Sequence, residues 1–98
     1  MLTFEDRLSM ITSIDEIEVQ RLQALAEATH LRNQAKQPGI KLEDKIALHR
    51  KAVKASKVEH ELLINQFIVE DALESGATGK AIIAFVKNDH NYLSRTAA

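Results

Sequence analysis

The chain has 98 residues, 45% of them apolar and 28% charged, with a formal net charge of −1, three Gly, one Pro and no Cys. That balance excludes intrinsic disorder, which goes with lower hydrophobicity and higher net charge, and the missing cysteines exclude disulfide staples and thiolate metal sites. The length fits one domain over residues 1–98, because two cores of half this size would each be too small to stand alone.

With so few breakers and a predominance of good helix formers, the expected class is all-α. The amino terminus, MLTFEDRLSM, places Glu5 and Asp6 where a secretory leader would want positive charge. The longest apolar run, Ala81 to Val86, is far short of the ~20 residues that cross a bilayer. A cytoplasmic location is therefore expected.

Two capping patterns stand near the start, TFED at Thr3 to Asp6 and SIDE at Ser13 to Glu16, of which the second is the stronger. The first twelve residues form either a short separate helix or an extension of the next. After Ser13 the apolar residues Ile14, Ile17, Ala24, Leu25, Ala28, Leu31 and Ala35 recur at helical spacing, with Glu16, Gln20, Gln23 and Glu27 opposite. This predicts a long amphipathic helix to about Lys36, stopped by Pro38 and Gly39.

From Leu42 to Ser75 no Pro or Gly occurs, and one helix of that length would measure ~50 Å, the alternative being a break near Ser56 and Lys57. Leu42, Ile46, Val53, Ile64 and Phe67 make one apolar stripe on it. Leu48, Ala55, Leu62 and Val69 make a second, at spacings of seven. Two stripes require two partners, and the preceding helix covers only one of them. The expected architecture is an antiparallel long-helix hairpin with a shorter C-terminal helix, three to four helices in all, and a loose tail over 93–98.

Charge is segregated: residues 1–30 hold six acids against two bases, and 32–60 hold eight bases against three acids. Arg50, Lys51, Lys54 and Lys57 concentrate the positive charge on the long helix. They suit either pairing with a neighbouring helix or an acidic partner.

Ser75 and Gly76 end the long helix, and Thr78 opens a last one reaching about Asn88, with Ile82, Phe85 and Val86 inward. With Ala72 at a small position and Gly76 four residues later at a turn, Ile68 to Lys87 resemble the helix-turn-helix signature as a generic motif. The resemblance covers a fifth of the chain and implies DNA contact through Thr78, Lys80, Ile83, Ala84 and Lys87. Only two of those are cations, and none is an Arg, Asn or Gln able to pair with a base edge.

No chemistry is assembled by the motifs. His49 and His60 lie eleven apart, ~16 Å along a helix, too far for one ion; across a tight turn at 38–41 His30 falls at the height of His49, but on the polar side of its helix, and His90 adds no site. GATGK lacks the glycine spacing of a phosphate loop, and no Glu-x-x-His pair supports a di-metal bundle. The layout resembles the small all-helical chorismate mutases, but LQALAEA at Leu22 to Ala28 stands where that family needs basic residues. The expected function is a non-enzymatic protein–protein interaction module without cofactor, an adaptor or inhibitor that pairs with a second copy or another protein. Leu48, Leu62 and Val69 are the expected anchors, and Arg50, Lys51, Lys54 and Lys57 the steering charges. A helix-turn-helix regulator using residues 68–88 is the alternative.

Overall fold

A computed structural model of the chain describes residues 2–88, and it is all-α, with no strand among those residues. Five helices follow in order: α1 (Phe4–Ser9), α2 (Ile14–Ala35), α3 (Leu42–Ile64), α4 (Gln66–Glu74) and α5 (Lys80–Asn88). The count exceeds the expected three to four because α1 stands apart from α2 and because the long helix is interrupted at Asn65. The tail over 93–98 and His90 lie outside the described residues.

α1 is short but well capped. Thr3 Oγ1 accepts from the Asp6 amide at 3.1 Å while Asp6 Oδ2 accepts from the Thr3 amide at 2.9 Å, so two amides without helical partners are satisfied reciprocally. Ser13, the stronger candidate on sequence, makes no side-chain cap bond; its carbonyl, not its hydroxyl, receives the Glu16 amide at 3.1 Å.

α2 and α3 form the expected antiparallel hairpin, reversed through Gly39 at φ 82°. Their contact is lined by Ala24 and Ala28 on one helix and Ala52 and Ala55 on the other, all buried. Side chains this small let two helix axes approach to the low end of the usual 8–10 Å. α1, α4 and α5 gather at the open end of the hairpin, where Leu8, Ile11, Leu62, Val69, Ile82 and Val86 are fully buried in one core with Phe4, Ile17 and Ile68. Between Ala28 and Ala52, by contrast, no residue is buried. The molecule is thus a rod, 51 × 26 × 16 Å, with a packed end and a thin arm.

Asn65 divides α3 from α4 without ending the hydrogen-bond ladder: its amide donates to Glu61 O at 3.1 Å and its carbonyl accepts from the Val69 amide at 3.0 Å. Its side-chain Nδ2 donates to the same Glu61 carbonyl at 2.9 Å, leaving Oδ1 buried without a protein partner. Competition of this kind between side chain and backbone bends a helix rather than stopping it.

Candidate protein-interaction surface

The rows on the long helix fall the opposite way from expectation. Leu62 and Val69 are fully buried within the chain, Ala55 is buried against α2, and Leu48 is half-buried near the tip beside Gln34 and Ile40. Leu62 and Val69 are therefore core residues, not partner anchors: α2 covers the row along the hairpin, and α1 and α5 complete its cover at the packed end. The other row is left in water except for Ile64, which is half-buried, and Leu63 beside it stands exposed in its place. Leu42 is 72% exposed, Phe67 70% and Val53 52%, and Ile46 and Leu63 are also exposed.

This open row has a regular spacing. Leu42, Ile46, His49, Val53, Ser56, His60, Leu63 and Phe67 follow one another at alternating intervals of four and three. A mean interval of 3.5 keeps side chains aligned along one line of a helix, as in a coiled-coil seam. His49 and His60 are exposed, and Ser56 accepts from Arg32 Nη2 at 2.7 Å.

α2 extends the surface sideways. Arg7 of α1 is buried and donates to Gln20 at 3.0 Å and to Glu27 at 2.9 Å, fixing α1 on one face of the hairpin. Arg21, 3.0 Å from Glu59, and Arg32, at Ser56, bridge the two helices along the other edge. On that open side α2 presents Ile14 and Leu25, both exposed despite their place in the predicted apolar face. Gln20, assigned to the polar face, is buried against α1 instead. Ile14 and Leu63 together line a hollow of about 230 Å³ edged by Asp15, Glu18 and Glu70.

The basic residues do not form one patch. Arg50 and Lys57 lie one position beyond the seam and border it, whereas Lys51 and Lys54 share a hollow with Glu27 and Leu31 on the α1 side of the hairpin. Glu61, four residues from Lys57, has its carboxyl pushed above the ordinary value by burial, against the opposing pull of Lys57 and His60.

The helix-turn-helix candidates sit at the packed end. α5 starts at Lys80 rather than Thr78, because Gly76 and Gly79 hold φ of 90° and 57° and the chain between them is not helical. Thr78 is thus a linker residue. Lys80, Ile83, Ala84 and Lys87 do share a surface, but Glu5 and Asp6 of α1 line the same hollow and Lys87 Nζ is 2.9 Å from a Glu5 oxygen. A nucleic-acid phosphate approaching there meets two carboxylates.

Neither the buried Arg7 nor the interruption at Asn65 was foreseen. An Arg in a first helix reads as surface charge; only the pairing of Gln20 with Glu27 seven residues on, two polar groups on one side of α2, hinted at a buried cation. Among the described residues no three of His, Cys, Asp or Glu converge on a metal position, and no helix is long and apolar enough to cross a membrane. Fold and surface together define a small helical rod, capped at one end and open along one seam. The chain matches no family model, no curated protein and no solved structure.

Proposed function

We propose that this chain is a non-enzymatic protein-interaction module, an adaptor or inhibitor, that recognises another helix through the open seam of α3 and α4 and is capable of self-association. The seam carries the reading: five large apolar side chains at coiled-coil spacing stand in water on the side of the rod away from its own core. Covering each contributes about 1.5 to 3 kcal/mol when burial is complete. The unburied stretch between Ala28 and Ala52 supports the same reading, since an arm without a core gains most from a second layer. The carboxylates of α1 beside Lys80 and Lys87 weigh against the nucleic-acid alternative.

Photocrosslinking in the native cell tests it. A benzophenone amino acid in place of Phe67 should yield covalent adducts to protein, identified by mass spectrometry, while the same group in place of the exposed Glu74 should yield none. Absence of adducts at Phe67, or equal adducts at Glu74, would remove the reading.

A further inference from the structure

The order of residues along the seam restricts what lies on it. Read from the tip it runs Leu42, Ile46, His49, Val53, Ser56, His60, Leu63, Phe67; read backwards it runs Phe, Leu, His, Ser, Val, His, Ile, Leu, so outside the central Val and Ser the line reproduces itself in chemical kind. Two antiparallel copies registered about the midpoint between Val53 and Ser56 pair Leu42 with Phe67 of the second copy, Ile46 with Leu63, His49 with His60 and Val53 with Ser56. Each pair joins the two kinds of heptad position, as antiparallel coiled coils require. A parallel pairing stacks every residue on its own counterpart instead and gains nothing from the symmetry.

Resting on the interaction reading above, we propose that the occupant of the seam is a second copy of this chain, antiparallel and in that register, and that the layer joining His49 to His60 makes the pairing pH-dependent. The arrangement lays the thin arm of each copy, carrying Leu42 and Ile46, against the packed end of the other, carrying Leu63 and Phe67. The coreless part of the rod thereby receives its missing layer. The eight positions span about 37 Å, and with α2 alongside the contact is roughly 20 Å wide, on the order of 700 Å² per copy against ~800 Å² in a standard stable interface.

On α3, Lys45, Arg50, Lys57 and Glu61 lie within four residues of one or other imidazole, and Arg32 of α2 bonds Ser56 between them; Arg21 and Glu59 neutralise one another at 3.0 Å, while Asp15, Glu18 and Glu70 stand one layer further on, at Leu63. Protonating two imidazoles that face each other across the contact adds like charge to a desolvated layer and separates the copies.

Sedimentation over a range of protein concentration should show a dimer at pH 8 and a shift to monomer as pH falls below 6, with the dissociation constant rising roughly tenfold or more. The double variant His49→Gln, His60→Gln should keep the dimer and lose the shift. Orientation is read by single cysteines, since the chain has none of its own. Ile46→Cys mixed with Leu63→Cys under oxidised glutathione should crosslink, and neither variant should crosslink alone. Both positions are about half exposed, so folding survives, as circular dichroism will verify. A monomer at every concentration, crosslinking of Ile46→Cys with itself, or an unchanged pH response in the double His variant would each overturn the proposal. If the Phe67 photoadduct is a different protein and the purified chain is a monomer, this inference falls while the interaction reading stands.

Discussion

Arg7 is 3% exposed, with its guanidinium held by Gln20 and Glu27, so truncation would strand a buried amide and a partly buried carboxylate at once. Arg7→Ala should destabilise the fold by about 2 to 3 kcal/mol in urea denaturation, and Arg7→Met by less, because the apolar stem is kept. Gly79 is a second sensitive position: at φ 57°, a Cβ there would also lie 3.3 Å from the Ser9 carbonyl. Both Gly79→Ala and Gly39→Ala should cost about 1 to 2 kcal/mol from the left-handed backbone, and Gly79→Ala more, because at Gly39 nothing lies within 4 Å. Two carboxylates give opposite acid responses. Asp6 is held below its ordinary value of 3.8 by the Thr3 backbone and side-chain bonds, so its contribution is complete above that value and lost as pH falls through the lowered one. Glu61 is raised above 4.5 by burial, so its ionisation opposes folding as pH rises. Glu61→Gln should therefore gain stability at pH 7 relative to pH 3, and Asp6→Asn should flatten the acid loss; parallel urea titrations at the two pH values check both.

Among the elements, stability should be uneven. The arm of α2 and α3 from 29 to 51 has no buried side chain, whereas Leu62, Val69, Ala72, Ile82 and Val86 are sealed in the packed end. Amide exchange should be fast across the arm and slow over residues 62–72, and a uniform rate along α3 would contradict this packing. Helix boundaries were largely legible from the sequence. Pro38 with Gly39 and Ser75 with Gly76 punctuate the chain as expected, and α2 ends within a residue of Lys36. The break in the long helix was not, because Asn65 acts through its Nδ2 bond to Glu61 O, a contact with no signal in periodicity. Which apolar row is buried was equally hidden. α2 has apolar residues around most of its circumference, Ile17 inside and Ile14, Val19, Leu22 and Leu25 outside. Such a helix does not declare its inner face, and the choice was made by α1 docking over Gln20 and Glu27.

For the whole molecule, the proposed pairing implies that the arm is slow to exchange only when a second layer covers it. Protection over 42–53 should rise with protein concentration at pH 8 and fall again in acid. The hairpin's own contact adds one more consequence. Ala24, Ala28, Ala52 and Ala55 meet as a smooth track, with no bulky knob seated in a hole to resist axial slip. The polar clasps Arg21 to Glu59 and Arg32 to Ser56 are then what hold that stretch in step, while Ile17, Val58 and Leu62 key the two helices at the packed end. Exchanging the two arginines would free the far end of the rod to splay, with its oily interior untouched.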